Sequence, residues 1–353
     1  MDATPIITKE TKNKIQVDYE GKLTFKERMK NKLKSSHTWA KVFIAIFRFV
    51  LMLGVSFVII QPFIARIAGS FMSHEDVIDA TVSIIPKYPT LQIYKALIVE
   101  NNYFDAFFNT LLISLICAVL QTLIACVVGY GIAKFKFKGN GAVMIAVVLT
   151  MIIPHGTIKH AMASHFSFFD ILTIQSLDYL GPLASIEKLF GGDGRIELYN
   201  TYVPLIILSL CGLAFKNGLY IYLMRQFFKG VPDELEESAY VDGSGVFRTF
   251  FQIIIPLSVP MMITVFLFSF SWQWTDEFYT GMFFNGDKSI YLMSDVYTKI
   301  PSSLTLPGYS GQDMYDNVVR NTAGMLIIMP LVVLYLFCQK YLVQGIERSG
   351  LVG

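Results

Sequence analysis

Charge is what this sequence has least of. Only 16% of its 353 residues are Asp, Glu, Lys or Arg, while 54% are hydrophobic. The apolar residues come in blocks of 18 or more, a length that indicates membrane spans rather than the core helices of a soluble domain. Cysteine is scarce as well. Cys117, Cys126, Cys211 and Cys338 all fall inside predicted spans without paired spacing, so they read as small apolar residues rather than disulfides or metal ligands. No cleavable leader is expected, because the first apolar block begins some 40 residues in and is too long for an h-region. A nucleotide-binding loop is also missing. The nearest approach is Gly281–Ser289, GMFFNGDKS, where Asp287 separates the second glycine from Lys288. Of the five histidines, His155, His160 and His165 recur every five residues, about 140° apart on a helix, so they do not converge on a metal. No acid/base pair or nucleophile–histidine spacing recurs at one depth, which disfavours a membrane enzyme.

What is present is a succession of apolar blocks. Residues 1–41 form a basic segment with ten Lys/Arg against five Asp/Glu. Within it, Lys22–Ser36 fits either a basic amphipathic helix with Leu23, Met29 and Leu33 toward a membrane, or a solvated flank. The remainder, 42–353, reads as one all-α membrane domain with six spans, at about 42–67, 105–133, 141–163, 202–224, 256–284 and 321–342. The third is the least regular, since its apolar run stops at Pro154 and must continue to about Ala163 or tilt. The intervening stretches 68–103, 164–200 and 285–319 read as polar loops, with turn signals at Pro86, Pro89, Pro301 and Pro307.

Orientation follows from the cations. The N-terminal segment, the Lys134–Lys138 turn, residues 225–255 and the tail from Lys340 collect 18 Lys/Arg, against 8 in residues 66–103, 156–203 and 284–319. The richer side is expected to be cytoplasmic, with both termini inside.

One stretch does not fit a bundle of spans. Val231–Pro260 lies between two apolar blocks yet carries Asp233, Glu234, Glu236, Glu237 and Asp242. Each would cost roughly 2.5–3.5 kcal/mol at mid-bilayer, so its first half is outside the hydrocarbon. Pro232 followed by Asp233 and Glu234 starts a short helix, on which Leu235 and Ala239 form a narrow apolar stripe. Gly243 can take φ > 0 and end it, and Ser244 can cap the next helix, which climbs into the fifth span.

The residues of this stretch resemble a known element. Glu237-Ser238-Ala239, three residues, Gly243, nine residues, then Ile253-x-Ile255-Pro256 is similar to the EAA loop of ABC importer permeases, written E-A-A, three residues, G, nine residues, I-x-L-P. Ser238 and Ile255 are the departures. Further matches point to the maltose-transporter-type carbohydrate permeases: Asn109-Thr110, Gly129-Tyr130-Gly131-Ile132-Ala133-Lys134-Phe135, Asn200-Thr201-Tyr202, Leu223 to Phe228, Trp274-Thr275-Asp276-Glu277-Phe278 (with Thr275 for the usual Asn), and a tail closing on Gly350-Leu351-Val352-Gly353 without the family's Lys. The resemblance covers roughly residues 40–353 and leaves the basic N-terminus and the long loops unexplained.

The resemblance implies a type I importer architecture in a bacterial or archaeal cytoplasmic membrane, with residues 231–256 as the loop that couples to a cytoplasmic ATPase dimer. Glu237, Ser238, Ala239, Asp242, Gly243, Ile253 and Pro256 carry that role, and Phe247, Phe250, Phe251 and Ile254 anchor the second helix. ATP–Mg is then bound by the partner, and this chain has no cofactor, metal or catalytic residue of its own. A second permease subunit, expected to differ from this one, and an extracytoplasmic solute-binding protein complete the assembly. Nucleic acid has no place in it.

Polar groups inside spans are candidates for the solute path. They are Lys216 and Asn217 in the fourth span, and Trp272, Gln273, Trp274, Asp276 and Glu277 in the fifth. Aromatic faces beside hydrogen-bonding groups suit sugar rings. The alternatives are an interhelical polar contact for Lys216 and an interfacial aromatic belt for the tryptophans. For the whole chain, the competing functions are an ABC permease for glycerol phosphate, polyamine or peptide, and a stand-alone secondary transporter. The latter often shows an inverted repeat, and none is evident.

Overall fold

The computed structural model describes residues 7–10, 16–19, 36–167, 198–284 and 290–350. It divides into two compact units, Met1–Ala65 and Arg66–Gly353. In the first unit, strands β1 (Ile7–Glu10) and β2 (Gln16–Tyr19) pair antiparallel, with Ile7 opposite Tyr19 and Glu10 opposite Gln16. This small hairpin is an addition to the all-helical class expected. Two four-residue strands leave too short an alternation to stand out within a polar segment. The amphipathic stretch considered over Lys22–Ser36 falls, but for Ser36, outside the described residues.

Helix α1 (Ser36–Gly69) begins earlier than the span expected at 42–67. Over Trp39–Gly69 it is apolar and long enough to cross a membrane.

In the second unit, Ser73 opens α2 (His74–Ile78) with a capping box: its hydroxyl accepts from the Asp76 N–H while the Asp76 carboxylate accepts from the Ser73 N–H. With α3 (Gln92–Glu100) it gives structure to a stretch expected to be a loop. Helix α4 (Tyr103–Lys134), close to the span predicted at 105–133, is the central element, with buried residues from Ala106 to Ile132.

Helices α5 (Asn140–Ile152) and α6 (His155–Ser167) replace the third span. They are bent by 98° at the intervening break, because Pro154 pushes Ile153 out of the helical region to ψ 118. The fourth span is also two helices, α7 (Val203–Leu210) and α8 (Asn217–Lys229). At about 12 and 20 Å, neither alone crosses a hydrocarbon core of ~30 Å. Gly212 (φ 72) and Lys216 (φ 65) make the break. Cys211 therefore sits at a helix end rather than within a span.

The acidic stretch forms α9 (Glu234–Val241) and α10 (Val246–Thr249). A π-helical turn, Phe250–Ile254, joins α10 without interruption to α11 (Ile255–Trp274). The fifth membrane helix thus starts ten residues before the expected 256 and stops before α12 (Phe278–Phe283). Helix α13 (Met293–Thr298) and a 3₁₀ turn at Ser302–Leu304 precede α14 (Gln312–Gly350), which starts nine residues before the predicted 321. Four described helices are long and apolar enough to cross a membrane, Trp39–Gly69, Tyr103–Lys134, Val246–Trp274 and Gln312–Val343, or five if α5 and α6 count as one.

Two glycines let these helices cross closely. A Cβ on Gly129 would stand 2.7 Å from the Met224 Cβ and 3.0 Å from the Arg225 backbone nitrogen, and one on Gly218 would stand 2.9 Å from the Val147 carbonyl oxygen. Helix α8 is therefore pressed between α4 and α5. One core cluster lies around this crossing and the hairpin, with Tyr130, Tyr220, Met224, Phe228, Phe250 and Ile254. A second gathers Ile93, Leu97, Phe270, Trp274 and Tyr315, and a third Phe166, Leu205, Tyr279 and Phe283.

Candidate functional site

The end of α9 is set by backbone chemistry. Gly243 has φ 82, its N–H donates to the Tyr240 carbonyl at 3.0 Å, and the Ser244 N–H donates to the Ala239 carbonyl at 2.9 Å. This is the paired arrangement of a Schellman motif, which needs a left-handed residue. Nothing lies within 4 Å of where a Gly243 Cβ would be, so within this chain the requirement is conformational rather than steric. Ser244 does not cap the next helix, as its sequence position suggested. Gly245 takes that place, in an extended conformation and without a side-chain cap.

The faces of α9 differ from the stripe read in the sequence. Ala239 is buried, but its companion is Glu236, while Leu235 is exposed. Glu237, Ser238 and Asp242 face outward, beside Val241 and Phe247, which are 87% and 80% exposed. Of the four anchoring residues expected, Phe250 and Ile254 are buried, whereas Phe247 and Phe251 are exposed. Ile253 packs against the adjoining core, and Pro256, directly after the π-helical turn, interrupts the hydrogen-bond ladder of the continuous helix there.

Glu236 is held by the foot of α4. The Tyr130 hydroxyl donates to Glu236 Oε2 at 3.1 Å. Lys134 Nζ lies 3.5 Å from Glu236 Oε1 and 2.5 Å from Asp233 Oδ1, and donates to the Val231 carbonyl at 2.6 Å. That ammonium holds the Asp233 carboxyl below its ordinary range. Tyr130 and Lys134 share a helix face at i and i+4, as do Asp233 and Glu236 at i and i+3. That matched spacing is the signal that could have drawn attention to Glu236.

Toward the other end of the bundle, a narrow crevice with room for about one water is lined by Gln121, Phe215, Ser269, Trp272, Gln273 and Asp276. Gln121 ties three helices together: its Nε2 donates to Ser209 Oγ at 3.2 Å, and its Oε1 accepts from Ser269 Oγ at 2.7 Å. Gln273 Nε2 is buried and has no hydrogen-bond partner among the described residues. Lys216 stands at the rim, its Nζ 5.0 Å from the centre of the Phe215 ring and 5.1 Å from that of Trp272, within cation–π range. The Phe215 ring also meets His155, whose Nδ1 is 2.6 Å from the Tyr279 hydroxyl.

The sequence candidates thus separate. Lys216, Trp272, Gln273 and Asp276 come together. Asn217 is buried at the start of α8, with both amide atoms unpartnered among the described residues. Trp274 turns away: it is buried against Phe107 and Phe270, and its Nε1 donates to the Ile327 carbonyl at 2.9 Å. With Glu277, and with Asp276 shared between the two, Trp274 lines a second, open cleft bordered by Ser294, Tyr297 and Ile328. Asp276 also does structural work, accepting from the Tyr279 and Thr280 N–H groups at the start of α12. Asn109 and Thr110 hold the segment before α13, through the Tyr291 carbonyl and the Met293 N–H. Of Gly281–Ser289, residues 285–289 lie outside the described residues, as do residues 168–197 of the loop expected at 164–200.

A polytopic helical membrane protein with an exposed acidic hairpin at one end and a polar, aromatic-walled crevice nearer the other has the build of a permease. Residues 121–348 match the family described as binding-protein-dependent transport system inner membrane component, and the chain belongs to that family. It is a multi-pass protein of the cytoplasmic membrane. It is 27% identical over 316 residues to the galactooligosaccharides transport system permease protein GanQ of Bacillus subtilis (strain 168), covering 87% of this chain and 95% of GanQ. It is 24% identical over 302 residues to the arabinooligosaccharides transport system permease protein AraQ of Halalkalibacterium halodurans, covering 85% and 93%. Its fold is similar, with a TM-score of 0.61 at 18% identity over 86% of this chain and 97% of the other, to a chain in the crystal structure of a bacterial ABC transporter involved in the import of the acidic polysaccharide alginate.

Proposed function

We propose that this chain is one membrane-spanning permease subunit of an ATP-driven importer that moves a mono- or oligosaccharide handed over by an extracytoplasmic binding protein. A second, different permease completes the path, and a cytoplasmic ATPase dimer binds ATP–Mg and supplies the work. The chain spans the membrane six times with both termini inside, the broken pairs α5–α6 and α7–α8 each serving as one crossing. Residues 231–256 couple it to the ATPase.

The observation that carries this reading is the hairpin. Its Schellman-terminated helix turns Glu237, Asp242, Val241 and Phe247 outward, which matches a docking face of mixed charge and apolar character, while Glu236 and Ala239 hold it to the bundle. Docking there lets closure of the ATPase dimer shift the hairpin and switch the spans between two states. Carbohydrate is favoured by the sugar-transporting relatives and by the Phe215 and Trp272 rings that stand beside the unpartnered Gln273 Nε2. Lys216, Asn217, Asp276 and Glu277 complete the proposed solute path, with Trp274 at its outer cleft.

The test is reconstitution of the complex with its ATPase, second permease and binding protein in liposomes. Labelled oligosaccharide should accumulate only with internal ATP and the binding protein. Uptake driven by an ion gradient without ATP would replace this reading with secondary transport. ATP-driven uptake of only glycerol phosphate, polyamine or peptide would replace the cargo.

A further inference from the structure

The two adjacent glutamates of the hairpin point in different directions, and that separates their work. Glu237 is exposed, whereas the Glu236 side chain is 10% accessible and sits against Lys134, whose own side chain is 7% accessible. We propose that the buried Glu236, held by the Tyr130 hydroxyl and the Lys134 ammonium, forms a latch that carries displacement of the hairpin into α4, with the exposed Asp233 carboxylate as a second, solvated hold on Lys134. Glu236 is a positioning residue, distinct from the docking residues beside it. The proposal rests on the reading of the hairpin as the ATPase-coupling element.

The geometry favours α4 as the receiver. Four interactions join its last turn to residues 231–236: two from Lys134 to carboxylates, one from Lys134 to the Val231 carbonyl, and one from Tyr130 to Glu236. Two of these engage Glu236, a carboxylate whose desolvation makes any loosening costly. The opposite strut of the hairpin is softer. It enters the bundle through the π-helical turn Phe250–Ile254, followed by Pro256 and Pro260, features that mark places where helices bend. A push on α9 is therefore transmitted through the latch more stiffly than through α11.

Helix α4 then acts as a lever. Five residues above Lys134, Gly129 bears directly on Met224 and Arg225 of α8, a contact with no side chain to cushion it. Eight residues further, about 12 Å along the helix, Gln121 grips Ser209 and Ser269 and lines the crevice. Rocking about Gly129 moves the foot of α4 and Gln121 in opposite senses.

The experiment uses the complete reconstituted complex and compares Tyr130→Phe, Lys134→Met and Glu236→Gln with the parent. Each variant should bring down the ATPase subunits at the parent level, because Glu237 and Asp242 are untouched. Uptake per ATP hydrolysed should fall about tenfold for Lys134→Met and Glu236→Gln, and about threefold for Tyr130→Phe, which removes one hydroxyl without threatening the fold. Parent uptake per ATP in all three single variants would overturn the latch, and so would loss of ATPase binding, which would place these residues in the dock instead. Absence of ATP-driven uptake in the parent complex would instead sink the coupling reading itself.

Discussion

Gly129 and Gly131 lie two residues apart in one helix and in one sequence motif, yet the structure assigns them opposite responses to the same substitution. Around Gly131 an added methyl group meets nothing within 4 Å, whereas at Gly129 it would sit 2.7 Å from the Met224 Cβ and 3.0 Å from the Arg225 nitrogen. Carbon atoms pack at about 3.5–4.0 Å, so Gly129→Ala forces α4 and α8 apart by about 1 Å. The obstacle on α8 is a Cβ and backbone, neither of which can swing aside as a long side chain would. Overpacking of this kind costs about 1–3 kcal/mol. Each glycine also weakens its helix by about 0.5–1 kcal/mol relative to alanine. Gly131→Ala should thus gain about 0.5–1 kcal/mol, and Gly129→Ala should lose up to about 2.5 kcal/mol net, a gap of about 1–3 kcal/mol. Equilibrium unfolding of the purified protein in mixed micelles measures that gap directly. Equal stabilities for the two variants, or a Gly129→Ala protein more stable than its parent, would refute the close crossing.

Two further outcomes follow from local geometry. Gly243→Ala should destabilise the hairpin by about 1 kcal/mol because of its left-handed backbone, while Gly243→Asn, which tolerates that conformation, should recover most of the loss; hydrogen exchange at the Gly243 and Ser244 amides reports it, and equal exchange in both variants would contradict the conformational argument. Between α2 and α3, Lys87 and the Thr81 hydroxyl hold the Asp79 carboxyl well below its ordinary value. A depressed acid adds stability that is fully present above an unfolded pKa of about 3.9 and is lost as pH falls through the folded value. Asp79 holds Lys87 above its ordinary value, so that contribution persists until strongly alkaline pH. Exchange at the Val82 amide, bonded to the Asp79 carbonyl, should then stay level, after correction for intrinsic rates, from about pH 4 to 10; a transition near neutrality would rule out the pair as its support.

Much of the fold was legible because the bilayer imposes a simple rule. A long block of apolar residues must cross, and five carboxylates must not, so α1, α4, α11 and α14 and the hairpin between the fourth and fifth blocks could be located from composition. The breaks were less visible. Pro154 announced itself, but the fracture of the fourth block between Leu210 and Asn217 rests on Gly212 and Lys216 adopting positive φ, and lysine carries little local preference for that conformation. Helix ends were misjudged wherever helices run on beyond their apolar block, as α14 does at Gln312 and the continuous α10–α11 helix at Val246. In the candidate sites, Gly243 was readable because a helix stop is local chemistry. Trp272 and Trp274 were not separable, since helical neighbours two apart point to different sides and only their surroundings say which side meets the crevice.

By itself, then, the sequence determined which segments are lipid-soluble, where the acidic hairpin interrupts them, and where its helix must end, because hydrophobic length and backbone sterics act over a few residues. Tertiary structure alone decided that Glu236 faces inward while Glu237 faces out, that Lys134 belongs to the hairpin 99 residues away, and that Gln121 joins Ser209 to Ser269. Those outcomes depend on which helices cross and how closely. The space left by a glycine such as Gly129 sets that, and no local propensity records it.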